Sequence, residues 1–183
     1  PELTKSTEAN VRKRLRQLFN QSDEQSQKSG RDWYKSANKI CLGFAIKYDY
    51  APEVVANVLS SLSPRNKWER NIIDCENVLK AVRLGIEPEQ VKVCTFNTNK
   101  FKAFAFANGG SSIKTTSPKT FAFVRNIAEL DDTKVTIDVW HLRACFGQTI
   151  ETGLTPKKYK RLEAITIQEA KKLGLKGYEF QAI

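Results

Sequence analysis

The chain is 183 residues long, 40% hydrophobic and 27% charged, with a formal net charge of +10. These figures describe one soluble globular domain with enough chain to bury a core, and no run reads as a signal peptide or transmembrane span. The charge and a pI near 9.5 point to a polyanionic partner, most simply nucleic acid. A membrane surface fits less well, because no basic amphipathic helix with a bulky apolar face stands out.

Taken in order, residues 8–20 place Val11, Leu15, Leu18 and Phe19 on one helical face among Arg12, Lys13, Arg14 and Arg16. That basic face is either solvated or a phosphate-contacting arm. Residues 21–31 carry no apolar side chain and read as a linker. From Asp32 to about Tyr48 a second helix follows the three- and four-residue spacing of Trp33, Ala37, Ile40, Cys41, Phe44 and Tyr48. Pro52 opens a third, apolar on most sides, which is expected to be central. Ser63-Pro64 opens a fourth, with Trp68 in the core and a stop at Gly85. Pro88 to Phe96 reads as a short helix and loop. Asn99 to Asn108 reads as a helix, although alternation of Phe104 and Phe106 also allows a strand.

The organising stretch is Ser117 to Gly147. Ser117 is an N-cap with Pro118 at the first helical position, and Phe121, Val124 and Ala128 share a face. A turn at Asp131-Asp132 leads into the β-branched run Val135-Thr136-Ile137. Asp138 then stands where a helix carrying Val139, Leu142 and Phe146 begins, and Gly147 fits its end. Asp138 is an ordinary N-cap on position alone. Its place between an apolar run and Trp140 also suits a half-buried, fixed negative charge, favoured by the helix dipole. Thr155-Pro156 starts a last, strongly basic helix through Leu173. The expected fold is all-α: a basic helix and linker over residues 1–31, then a compact multi-helix domain over residues 32–183.

Four cysteines, Cys41, Cys75, Cys94 and Cys145, are spaced by 34, 19 and 51 residues. No C-x-x-C or C-x-x-H pair exists, so neither zinc nor an iron–sulfur cluster is expected. Cys41 and Cys75 read as buried thiols, and a reducing cytoplasm is the expected compartment.

Lys119-Thr120-Phe121-Ala122, then Ile137-Asp138-Val139-Trp140-His141-Leu142-Arg143, with Leu62-Ser63-Pro64-Arg65 upstream, resembles the helix-hairpin-helix DNA glycosylase superfamily. That family carries a lysine-threonine helix start, a V-D-T-H-x-x-R segment and an L-S-x-Q/R turn. The Lys-to-Asp separation is 19 residues and the Asp-to-Arg separation five, and the likeness covers roughly residues 50 to 147. Two positions depart from the pattern. No glycine lies between Gly110 and Lys119 where the family has a Gly-rich hairpin, and Trp140 replaces the usual His, with His141 one place later.

The resemblance implies cleavage of the N-glycosidic bond of a flipped base in DNA, without metal or cofactor. Asp138 is then the carboxylate that stabilises an oxocarbenium-like sugar. Lys119 is the amine nucleophile of bifunctional members, or else a phosphate contact. Arg65, Lys67, Lys114, Lys119 and Arg143 contact nucleic acid, and Trp140 and His141 line the base pocket. Short length and a compressed motif fit a phage-encoded member, acting in a bacterial or phage-infected cell. The competing reading, favoured by the missing hairpin glycines, is a catalytically inactive DNA-binding module on the same helical scaffold. A third is an interaction protein whose charge serves a protein partner. Oligomeric state is not legible.

Overall fold

Proline and short polar side chains punctuate three- and four-residue apolar spacing, and the chain responds with helices throughout. A computed structural model describes residues 3–110, 117–147 and 154–183; Lys114 lies outside them. The described residues form nine α-helices and no strand. The helices are α1 (Lys5–Gln21), α2 (Glu24–Tyr48), α3 (Pro52–Leu62), α4 (Trp68–Arg83), α5 (Asn97–Ala107), α6 (Pro118–Glu129), α7 (Val139–Phe146), α8 (Pro156–Lys172) and α9 (Gly177–Ala182). One 3-10 turn spans Pro88–Gln90. No helix among the described residues is long and apolar enough to cross a membrane.

Two units emerge, one formed by residues 37–129 and one by residues 3–36 with 130–183; α2 contributes its two halves to them. Unit 37–129 is built on α3, which packs against α4, α5 and α6. Every residue from Val55 to Leu62 is buried, and burying each Val or Leu there contributes roughly 1.5–3 kcal/mol. A helix enclosed on all sides must satisfy its polar groups internally. Asn57 Nδ2 donates to Glu53 O (2.8 Å), Ser61 Oγ to Asn57 O (2.8 Å), and Asn71 Nδ2 of α4 to Leu59 O (3.0 Å). Asn38 Nδ2 donates to Ile127 O and Ala128 O, closing the carbonyl end of α6.

In the other unit, α1 packs on α7 and α8, and α8 on α9. Most of the α1 arginines are engaged inside the unit. Arg12 Nη1 donates to the buried Glu169 Oε1 (3.0 Å), Arg16 Nε lies 3.6 Å from Glu169 Oε2, and Arg14 Nε donates to Ala144 O (3.2 Å). Glu8 receives Arg161 through two bonds of 2.5 and 2.6 Å.

Three sequence expectations change, and one open alternative closes. Residues 24–31 are the first turns of α2 rather than linker, because Asp23 Oδ1 accepts from Ser26 N (2.7 Å) and caps the start. The fourth helix starts at Trp68, not at Ser63-Pro64. Arg65 adopts φ +56° and Asn66 N bonds Ser63 O, so residues 63–66 form a turn. Trp68 is half-buried rather than in the core. Residues 97–107 are helix, removing the strand alternative. The short α9 was not anticipated at all.

At the start of α9, a Cβ on Gly177 would lie 2.8 Å from both Ile167 Cγ1 and Val135 Cγ2. Val135 is pinned by its backbone N–H donating to Glu163 Oε2 and its carbonyl accepting from the Tyr159 hydroxyl, so its methyl cannot retreat cheaply. Gly177→Ala is therefore expected to cost about 1–3 kcal/mol, read as a lower urea midpoint; an unchanged midpoint contradicts this packing.

Candidate active site

The run Val135-Thr136-Ile137 is buried yet pairs with no strand among the described residues. Its backbone groups need other partners, and α8 supplies them from side chains. Val135 N donates to Glu163 Oε2 (2.9 Å), the Tyr159 hydroxyl donates to Val135 O (2.7 Å), and Ile137 N donates to the Tyr159 oxygen (3.0 Å). Thr136 hydrogen-bonds the Tyr34 hydroxyl. Burial pushes both tyrosine hydroxyls well above their ordinary range, so they serve as neutral hydrogen-bonding groups.

This clamp delivers Asp138 to the N-terminus of α7. Asp138 is half-buried with extended backbone (φ −96°, ψ −175°), and its Oδ1 accepts from His141 N at 2.8 Å. The N-cap expected from sequence is therefore formed, and one carboxylate oxygen is used by it. At the other end Gly147 takes φ +73°, and the Arg14 guanidinium lies against it. α7 is thus held by an anion at its positive end and a cation at its negative end.

Along α7, Trp140 is 68% exposed, with the Arg143 guanidinium 4.6 Å from its ring centre. His141 points inward and is 4% exposed. Its Nε2 lies 2.9 Å from Thr166 Oγ1, and that hydroxyl donates its hydrogen to Leu162 O (2.9 Å). A threonine hydroxyl has one hydrogen, so Nε2 carries the proton and donates it to Thr166. Burial pushes the imidazole down to about 4, with the Asp138 charge opposing.

Trp140 and His141, the residues expected to line a base pocket, both border a cavity of about 360 Å3. Leu15 and Phe19 of α1 and Phe180 and Gln181 of α9 complete much of its wall. Sequence reasoning missed Gln181, Tyr34, Tyr159 and Glu163. The available signal was polar side chains interrupting the apolar stripe of α8: Tyr159, Glu163 and Thr166 are all buried.

Arg65, Lys67 and Lys119 belong to unit 37–129, whereas Asp138, Trp140, His141 and Arg143 belong to the other. Lys119 is exposed on the first turn of α6, and Lys67 is exposed at the N-cap of α4. Arg65 stands at the tip of its turn in the left-handed region, which costs an L-residue roughly 1–2 kcal/mol. Its guanidinium lies 5.4 Å from the ring centre of Phe96, which is 53% exposed. Two contacts tie the Arg65 and Phe96 loops together. Thr95 Oγ1 donates to Pro64 O (2.8 Å), and buried Asp74 accepts from Asn66 Nδ2 (3.0 Å) and Cys94 N (2.8 Å). Phe96, too, was missed from sequence, since a single aromatic in an irregular loop has no periodicity.

Cys41, Cys75 and Cys145 are buried and their thiols are pushed up by burial, Cys41 and Cys145 to about 12. Such thiols are inert packing groups. Among the described residues no group of three or more His, Cys, Asp or Glu is placed to hold a metal ion.

The chain belongs to a family of unknown function, DUF7178, whose sequence model matches residues 2–183. No curated protein and no solved structure matches it.

The buried neutral His141 makes stability depend on pH. Its folded value lies below the ordinary 6.5, so as pH falls through 6.5 the unfolded chain takes up a proton that the folded chain refuses. Stability attributable to this residue is full above about 6.5 and falls towards about 4. Between pH 7 and pH 5 wild type should lose about 2 kcal/mol more than His141→Gln, measured by urea unfolding. Parallel losses in the two proteins contradict a buried neutral imidazole.

Proposed function

We propose that this protein is a glycosylase of the helix-hairpin-helix type, cleaving the N-glycosidic bond of a damaged or modified base flipped out of DNA, with Asp138 as its catalytic carboxylate. The observation that carries the reading is the fixed Asp138: a half-buried carboxylate at the N-terminus of α7, delivered by a buried segment anchored through three hydrogen bonds to α8. A preorganised negative charge of this kind stabilises cationic character developing at the sugar. The order Lys119, Asp138, Arg143 and the all-helical fold support it, as does the aromatic cavity on the same helix.

In this reading the base leaves with the bonding electron pair, water adds to the sugar carbon and gives up a proton that ends on the departed base, and Asp138 faces the positive charge between the two events. One Asp138 oxygen caps α7, which leaves the other for the sugar or the attacking water. Lys119, exposed at a helix start, serves as a phosphate contact or as an amine nucleophile, and Lys67 and Arg143 bind phosphate. Unit 37–129 grips nucleic acid through Arg65 and Phe96, a cation and an exposed aromatic on two loops fixed to each other. The net charge of +10 supports a polyanionic partner.

The second reading, an inactive DNA-binding module, is favoured by the lack of glycine between Gly110 and Lys119, where close approach to a phosphate benefits from glycine. It differs in one outcome, the absence of any chemistry dependent on Asp138.

Asn is also a good N-cap, so Asp138→Asn removes charge while keeping the cap. Mass spectrometry of bases released from a panel of modified DNA should show a loss of about 100-fold or more in the variant, with DNA affinity retained. Release at the wild-type rate removes Asp138 from the chemistry, and no release by either protein supports the binding module.

Arg65→Gly and Phe96→Ala separate grip from fold. Glycine accepts φ +56° without strain, so Arg65→Gly should melt no lower than wild type while its salt dependence of DNA binding falls by about one ion. Phe96→Ala should weaken binding about 5- to 100-fold if the ring stacks on a base. Unaltered affinity in both variants removes this loop pair from the interface.

A further inference from the structure

His141 lines the cavity between α1, α7 and α9, and one of its two ring nitrogens is bonded within the fold. His141 Nε2–H is committed to Thr166, whose own hydrogen is committed to Leu162 O. Among the described residues nothing bonds to Nδ1, and that nitrogen is not fully enclosed, since the side-chain atoms enclosed without a partner are Tyr50 Oη, Asn71 Oδ1 and Glu169 Oε2. An imidazole protonated at Nε2 presents a bare acceptor at Nδ1. The imidazole stays neutral down to about pH 4, so this acceptor is present throughout the physiological range.

A second relay fixes a donor in the same wall. Thr136 hydrogen-bonds the Tyr34 oxygen, and the Tyr34 hydroxyl donates to Gln181 Oε1 at 3.0 Å. The carbonyl of Gln181 is thereby used, and its amide N–H groups remain to donate. Phe19, Phe180 and Trp140 provide apolar and aromatic surface around these two groups. At about 360 Å3 the space falls at the small end of ligand pockets, which run ~300–1,000 Å3.

We propose that this cavity binds a neutral planar heterocycle that gives an N–H hydrogen to His141 Nδ1 and takes one from the Gln181 amide. The chemical class is a nucleobase edge with donor and acceptor side by side. Identification of that heterocycle as an extruded base rests on the glycosylase reading above; the hydrogen-bonding demand does not. Thr166 is a positioning residue here: it touches no ligand but dictates which imidazole nitrogen accepts. A ring blocked by methyl groups at its N–H positions is rejected, because Nδ1 has no hydrogen to offer in exchange and would be buried unpaired.

His141 is the single histidine of the chain, so its ring nitrogens are identified without ambiguity in a 15N spectrum of the intact protein. Titration with uracil, cytosine and hypoxanthine should shift Nδ1 upfield while Nε2 stays protonated. 1,3-Dimethyluracil should bind at least about tenfold more weakly than uracil and leave Nδ1 unmoved. Thr166→Val releases Nε2 and should abolish the preference, whereas Thr166→Ser retains the hydroxyl and should restore it. Absence of an Nδ1 shift with every base, equal binding of dimethyluracil, or an intact preference in Thr166→Val overturns the proposal. Base-induced Nδ1 shifts without base release from any DNA leave the pocket standing and remove the glycosylase reading. Base release indifferent to Thr166→Val does the reverse.

Discussion

Everything near Asp138 depends on how one buried, unpaired stretch of backbone is satisfied. Val135 to Ile137 is too apolar to lie in water and has no neighbouring strand to bond among the described residues. Tyr159 and Glu163, one turn apart on α8, take over the role of that strand. Each such bond adds only about 0.5–1.5 kcal/mol net, but an orphaned buried group costs about 1–3 kcal/mol. The segment is therefore held less by attraction than by the cost of leaving. Because Asp138 follows Ile137 directly, the same cost fixes where its carboxylate stands. Gly177 closes the arrangement by letting α9 approach Val135 without a side chain in between.

The basic composition divides into charges paired within the fold and charges left exposed. Arg12, Arg14, Arg16 and Arg161 bind Glu169, the end of α7 and Glu8, so much of the α1 arginine face is neither free solvated surface nor a phosphate arm. Lys67, Lys119 and Arg65 remain exposed in unit 37–129. A net charge read from sequence thus does not say which cations stay exposed; that is decided by ion pairs within the fold.

Legibility followed the range of the interaction. The N-cap at Asp138 and the stop at Gly147 were readable because capping involves residues three or four apart. The centrality of α3 was readable from its continuous apolar composition. Residues 24–31 are not legible as helix because a polar run has no hydrophobic period, and only the cap at Asp23 marks the start. The clamp was invisible because Tyr159 and Glu163 act on residues 22 to 28 positions away. Pairing of the Arg65 and Phe96 loops through Asp74 likewise needs the fold. Trp140 and His141 line one cavity, and the locked tautomer of His141 emerges only once Thr166 is seen beside it.

The role proposed for the Asp138 carboxylate is to face a sugar that becomes cationic. The most direct measurement needs no knowledge of the base. It is the affinity of wild type and Asp138→Asn for duplexes carrying a cationic azasugar, compared with a neutral tetrahydrofuran abasic site. A transition-state mimic binds at least ~100-fold tighter than its ground-state counterpart. Wild type should prefer the azasugar by a factor of that order, and the variant should lose the preference. Equal affinity of wild type for the two duplexes, or a preference that survives the substitution, contradicts it.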